Sequence, residues 1–362
     1  MSLKTVIKNE IEQSPNGLIT FERFMTLSLY HQKYGYYQKN GPKTGKRGDF
    51  ITSTSVGDVF SRVMARVLIK EIQSNEYEPV IVDAGSGDGN FISSFLDEVK
   101  SVDNKFYEKL TYFVLESSPY HQQLIDGSTK HHNVRIYPSL AAIKKELPKL
   151  NGILFSNELL DAFPVRIIEK QHELVEVCVG LNDRDCFEEV YIPCTDPAIL
   201  SWLARYHLQI SDGQRIEIPL AMGKWLNGVG MWLCHGKVFT VDYGYTNEEW
   251  KAPERRRGSV RGYKKHQFID NVFQTPGEID ITTHVHIDAI KNIGLSHGMQ
   301  WVDCMPQGQF LLKQGLLQFL QQTSPDDPFS REHKQNRAVR WLAESNQFLV
   351  MIQEKRPKKN DA

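Results

Sequence analysis

The 362-residue chain lacks any apolar run near the roughly 18 residues that a membrane span needs. Its first residues, MSLKTVIKNEIEQ, have neither the apolar core of a secretory signal nor the arginine-rich, acid-poor pattern of a transit peptide. A cytoplasmic protein without a membrane span is therefore expected. Excess charge is also lacking: 43 Lys and Arg stand against 44 Asp and Glu, so no global field recruits nucleic acid or an anionic surface. The five cysteines, Cys178, Cys186, Cys194, Cys234 and Cys304, are odd in number and contain no C-x-x-C pair. Reduced thiols are the simplest account, and the spacing matches no standard zinc pattern. His284 and His286 alternate along one segment, but a third ligand is not evident beside them, and no metal is expected.

What is present centres on Val80 to Phe91, VIVDAGSGDGNF. Val80, Ile81 and Val82 form a continuous apolar run, the pattern of a strand covered on both faces, with Asp83 at its carboxyl end. Gly85, Gly87 and Gly89 follow as G-x-G-x-G and lead into a helix from about Asn90. Such a turn lets a ligand reach backbone amides that a Cβ would shield. The dinucleotide fingerprint is G-x-G-x-x-G with an acid about 20 residues on, and here the third glycine comes one residue early. Glu116 ends the next strand, Thr111 to Leu115, and suits a ribose diol for either cofactor class, whereas an acid before the turn is more typical of S-adenosylmethionine (SAM) enzymes.

Strand and helix patterns then alternate: Thr111 to Glu116, a helix from about Pro119, Val134 to Tyr137, a helix Ser139 to Leu147, and Gly152 to Ser156. This implies an α/β fold with a doubly wound, mostly parallel sheet whose strand ends share one rim. The fourth strand ends in Asn157-Glu158-Leu159-Leu160-Asp161. On a helical turn Glu158 and Asp161 would share a face and could clamp a guanidinium; an acidic turn favoured by a helix dipole is the alternative. Before the central strand, GDFITS places Asp49, Phe50 and Thr52 in a long loop rich in aromatics, a candidate cover for the cofactor; a turn with a helix cap is its alternative. The cluster ERRRGSVRGYKKHQ reads as a solvated basic face rather than a nucleic-acid contact. Its His266 is a candidate for a proton path.

The expected organisation is helices and a covering loop in 1–75, the first half of the cofactor core in 76–166, an inserted α+β subdomain in 167–233, the second half of the core in 234–350 and a tail in 351–362. Within these, Glu217 to Leu233 is expected as one helix, and Met299 to Cys304 with Gln309 to Leu312 as the last strand pair.

The segments GLITFERFMTLSLYHQKYGYY, GDFITS, the glycine turn, VLESSP, SNELLDAFPVR, VDYG, RGYKKH, PGEIDITTHVHID and QGQFLLKQG run in one order from Gly17 to Gly315. In them the chain resembles the MidA-like family of SAM-dependent methyltransferases, whose mitochondrial members are complex I assembly factors that methylate a protein arginine. The resemblance implies a class I, Rossmann-like methyltransferase that uses SAM, yields S-adenosylhomocysteine and acts on a protein. It implies cofactor roles for Asp49, Thr52, Gly85, Gly87, Gly89 and Glu116, and an active site at the Asn157-Glu158 to Asp161 turn; Phe50, Asp83, Ser117 and Asn157, within or beside those motifs, are further candidate cofactor contacts. Where this chain has Asp83 and Gly85-Ser86-Gly87-Asp88-Gly89, the family usually has Glu and G-P-G-x-G; where GDFITS is usually followed by Pro, this chain has Thr54. A small molecule or another protein side chain as acceptor, and a SAM-binding assembly chaperone, stay open as alternatives.

Overall fold

A computed structural model describes residues 2–41, 43, 57–324 and 327–357. Seven strands build the central sheet: β1 (Val80–Ala84), β2 (Thr111–Leu115), β3 (Val134–Tyr137), β4 (Leu150–Asn157), β5 (Leu233–Asp242), β6 (Met299–Pro306) and β7 (Leu349–Lys355). Their spatial order is β3-β2-β1-β4-β5-β7-β6. The pairs from β3 to β5 are parallel, and β7 runs antiparallel to both its neighbours. Strand order reverses beside β1, and the crevice there is where open α/β sheets bind ligands.

Alternation along the strands explains the layers. Ile81, Tyr112, Val114, Ile153, Phe155 and Val241 meet Phe60, Val63, Phe95 and Leu96 from the helices Val59–Ser74 and Asn90–Val102. Val82, Phe113, Leu115, Leu154 and Val238 pack the opposite way, against Ile143, Val229 and Trp232. Both faces are thus covered, which is why the strands read as near-continuous apolar runs. Among the described residues no helix is long and apolar enough to cross a membrane.

Three expectations need correction. Gln309 to Leu312 is helical, within Gln307–Lys313, because Gln307, Gly308, Phe310 and Leu311 are buried at helical spacing. The last strand is β7 instead, and it takes up residues assigned to a tail: Met351 and Ile352 are buried in apolar clusters, and the strand pairs along its length with β5 and β6. Glu217 to Leu233 is not one helix, since Arg215–Ile218 is a strand and the helix Leu220–Trp232 begins after Pro219. That helix places Val229 and Trp232 on the central sheet, so the end of the expected insertion belongs to the core layer.

The inserted strands form a second, antiparallel sheet. Leu174–Leu181 lies between Phe187–Pro193 on one edge and Arg166–Lys170 on the other, with Arg215–Ile218 beyond and Ile19–Thr20 extending the inner edge. Helices Leu3–Gln13 and Phe21–Tyr30 bury Ile7, Ile11, Phe21 and Phe24 against Ile167, Val177, Val179 and Ile281 of this region. The amino-terminal helices and the insertion therefore share one core, whose edge borders the crevice beside β1.

Where β4 and β5 run side by side, Gly152 and Gly236 let the backbones approach. A Cβ on Gly236, which sits at φ +144°, would lie 1.8 Å from the Gly152 carbonyl oxygen. Gly236→Ala is expected to lower folding stability by about 3 kcal/mol through strain and overpacking, read as a fall in the urea midpoint. An unchanged midpoint would show that the strands can part there at no cost.

Candidate active site

A cavity of about 850 Å³ opens at the carboxyl ends of β1, β2 and β4. Its floor is the turn Asp83 to Asp88, one wall is Glu116, Ser117, Tyr120 and Leu124, and the facing wall is Asn157, Glu158, Leu159, Phe163 and Trp225. Tyr30 and Tyr37 reach it from the amino-terminal region.

The glycine turn assembles much as its residue types predict. Gly85 (φ +77°) and Gly87 (φ +58°) line the cavity in the left-handed conformation. A Cβ on Gly85 would meet Leu159 Cδ1 at 2.8 Å, whereas the space beside Gly87 is open. Gly89 serves packing instead. It precedes the helix Asn90–Val102 and lets Ile125 approach, its would-be Cβ lying 2.9 Å from Ile125 Cα.

Asp83 is 2% exposed and accepts a hydrogen bond from the Tyr112 hydroxyl at 3.1 Å. Burial pushes its carboxyl up to about 7, with the Glu116 charge adding to the rise and the hydrogen bonds opposing it. Glu116 accepts from the Ser118 amide at 2.7 Å, and Ser117 lies exposed beside it.

Asn157 donates to Glu158 Oε1 at 3.2 Å, while its own Oδ1 is buried with no hydrogen-bond partner among the described residues. A buried orphan acceptor in a cavity wall is an unmet demand for a donor. Together with the open space over Gly87 and the carboxylate of Glu116, it fits a cofactor carrying amino, hydroxyl and cationic groups. Asn157, Asp83, Gly85, Gly87, Glu116 and Ser117 are the described residues that would hold it.

Two of the expected catalytic residues are not at the cavity. Asp161 is 4% exposed, takes the Tyr243 hydroxyl as donor and is absent from the lining. The shared helical face does not form because Glu158 is left-handed (φ +51°) and Leu160–Ala162 is a tight 3-10 turn, so their separation along the chain does not stack them. His266 is exposed at the tip of the hairpin joining Arg261–Lys264 to Gln267–Ile269. Lys265 and His266 both have positive φ, 50° and 60°, the backbone of a two-residue hairpin turn, which faces solvent. Asp49, Phe50 and Thr52 lie outside the described residues.

Sequence reasoning misses other residues that shape the site. Asp242, at the end of β5, is fully buried and accepts from the amides of Leu160 (2.8 Å), Asp161 (3.3 Å) and Tyr243 (3.0 Å). Burial raises Asp161 to about 6, and burial with the neighbouring Asp161 charge raises Asp242 well above the carboxylate range. Tyr30 donates to the Ala162 carbonyl at 2.8 Å and stacks on Tyr37, whose hydroxyl donates to Asp280 at 2.7 Å. The VDYG segment held the signal for Asp242 and GLITFERFMTLSLYHQKYGYY contains Tyr30; nothing local to Trp225 marks it, because it arrives from a distant element.

Asp83 generates a pH test. Its folded pKa is raised from 3.8 to about 7, so the stability it contributes is fully present below 3.8 and lost as pH rises through about 7. Asp83→Asn removes the titration while keeping an acceptor for Tyr112. Urea unfolding of the cofactor-free protein between about pH 4 and 8 should show the wild type losing on the order of 4 kcal/mol relative to the variant. Parallel curves would place Asp83 at its ordinary pKa.

Residues 63–305 match a family described as "Putative S-adenosyl-L-methionine-dependent methyltransferase". A Danio rerio protein named protein arginine methyltransferase NDUFAF7, mitochondrial, is 23% identical over 301 residues, covering 76% of this chain and 68% of its own. The Bos taurus protein of that name is 25% identical over 309 residues, 76% and 66% of the two chains. The chain thus spans about two thirds of the length of these curated relatives. A Burkholderia thailandensis protein solved with S-adenosylhomocysteine bound superposes with a TM-score of 0.85 at 24% identity, covering 98% of this chain and 92% of that one, and so shares the fold. The matched residues include β1 and the glycine turn through the end of β5, and the chain belongs to this family of SAM-dependent methyltransferases, with S-adenosylmethionine as its cofactor.

Proposed function

We propose that the chain methylates an arginine side chain of a protein, with Glu158 as the residue that receives the acceptor. The observation that carries this reading is the placement of Glu158: a half-buried carboxylate held beside Asn157 in the wall of the cofactor cavity. The name of the curated relatives, protein arginine methyltransferase, supports it.

The bound cofactor supplies a methyl group already activated by its sulfonium. What the protein must add is position, which can be worth roughly 7 to 11 kcal/mol. An arginine guanidinium cannot deprotonate in advance near neutral pH. Glu158 binds the guanidinium by charge-assisted hydrogen bonds and takes a proton from the attacking nitrogen as the N–C bond forms and the C–S bond breaks. Asn157 orients Glu158 through the hydrogen bond at Oε1. Asp161 acts indirectly, through Tyr243 and the turn, rather than on the acceptor. Phe163, Leu159 and Trp225 form an apolar wall that excludes water beside the carboxylate.

Transfer of labelled methyl from SAM to proteins in an extract of the source organism lacking this gene tests the reading. The wild type should label a band that hydrolyses to methylarginine. Glu158→Gln should slow labelling by about 100-fold or more, the range of lost general-base catalysis, while SAM binding by titration stays within about threefold. Label in a different amino acid would sink the arginine assignment and keep the methyltransferase. Full labelling by Glu158→Gln would remove Glu158 from the chemistry.

A further inference from the structure

A cluster that joins the helix Asn90–Val102 to the segment after the helix Pro119–Ser128 has the makings of a metal site. Asp97 lies on that helix, and His131 and His132 follow the helix Pro119–Ser128. Both Nε2 atoms converge on one oxygen, Asp97 Oδ1, at 3.6 Å for His131 and 3.4 Å for His132. The three candidate ligand atoms all lie within 4.8 Å of one another. Zinc bonds of about 2.0 to 2.2 Å in tetrahedral arrangement put ligand atoms roughly 3.3 to 3.5 Å apart, so the carboxylate-to-imidazole edges nearly match.

His132 makes the cluster more than a surface coincidence. Its side chain is 1% exposed, and its Nε2 is buried without a well-formed hydrogen bond among the described residues, Asp97 Oδ1 at 3.4 Å being an ion-pair contact. Its Nδ1 is 2.8 Å from the Tyr107 hydroxyl. A ring held at Nδ1 by an outer partner, with Nε2 turned to the ion, is the usual build of a metal-bound histidine. The rings of His131 and His132 are only 4.0 Å apart, and burial with the neighbouring His131 lowers the pKa of His132. Lys100, whose ammonium lies 5.5 Å from the Tyr107 ring, is the adverse charge nearby. His131 and Asp97 are 58% and 61% exposed at the side chain, so an ion can enter and keep a water ligand.

We propose that Asp97, His131 and His132 bind a zinc-type divalent transition-metal ion, with water completing the coordination. Nitrogen and carboxylate donors of this kind suit zinc, cobalt or nickel over magnesium or calcium. The ion ties together two helices that both border the cofactor cavity: one begins at the glycine turn, and the other carries Tyr120, His121, Leu124 and Ser128. Its role is thus to brace the cavity wall, and it does not depend on which acceptor is methylated.

The full chain, stripped with EDTA, would be titrated with Zn²⁺ by calorimetry and with Co²⁺ by visible absorption. One ion per chain is expected, with tetrahedral cobalt colour and a rise in unfolding temperature on adding Zn²⁺. Because replacing buried His132 can impair folding, the exposed ligands carry the test: Asp97→Asn and His131→Asn should each weaken binding at least about tenfold and remove most of the thermal shift. Calorimetric silence at roughly 1 mM free Zn²⁺, or equal affinity in the wild type and both variants, would overturn the site. The second result would assign the ion to other histidines among the 12 in the chain.

Discussion

The turn after β4 depends on one carboxyl group. Asp242 at the end of β5 takes the amides of Leu160 and Asp161 on one oxygen and its neighbour's amide on the other. The Glu158 amide donates to the Val241 carbonyl beside it, at 2.8 Å. Buried amides without such acceptors cost on the order of 1 to 3 kcal/mol each. Satisfying them at these points drives the chain into a left-handed residue and a 3-10 turn instead of continuing as strand or helix. Glu158 faces the cavity as a result, and Asp161 turns away towards Tyr243. Burial raises both carboxyls and the Asp161 charge raises Asp242 further, so the latch carries less than two full charges near neutrality.

Around that latch, two cores divide the work. The central sheet, covered on both faces, presents the ends of β1, β2 and β4 as a rim, and the glycine turn, Glu116 and Asn157 line the cavity from it. The second sheet and the amino-terminal helices form their own apolar cluster and bring Tyr30 and Tyr37 to the opposite side. Tyr30 is fastened to the Ala162 carbonyl and Ser118 to the Tyr37 carbonyl, so the second core is bonded to both walls of the cavity. A cofactor held on one core and an acceptor approached from the other is a geometry in which the two units position the reactants jointly.

Much of this was legible along the chain. Val80 to Gly89 carries its own pattern: an apolar run, an acid and glycines whose conformations no other residue adopts as cheaply, and the structure puts Asp83, Gly85 and Gly87 at the cavity, with Gly89 given to packing. Glu116 and Asn157 could be found because each ends a recognisable strand in an alternating series. The misjudged residues share a cause. Helical spacing for Glu158 and Asp161, a strand at Gln309 to Leu312 and a tail at Met351 to Lys355 were all local readings of short segments, and short apolar runs are ambiguous between helix and strand.

What the sequence by itself determined is therefore the alternating α/β series, the glycine turn and the acids at the strand ends, since each follows from period, backbone freedom or strand position within a few neighbouring residues. Tertiary structure alone decided the slot of β7 between β5 and β6, the merging of the amino-terminal helices with the insertion, the meeting of Asp97 with His131 and His132, and which carboxylate of the Glu158 to Asp161 turn faces the cavity. Those outcomes rest on contacts between residues far apart in the chain. Asp242 contacts a turn 81 residues earlier, and no local pattern encodes which distant amide a buried carboxyl will satisfy.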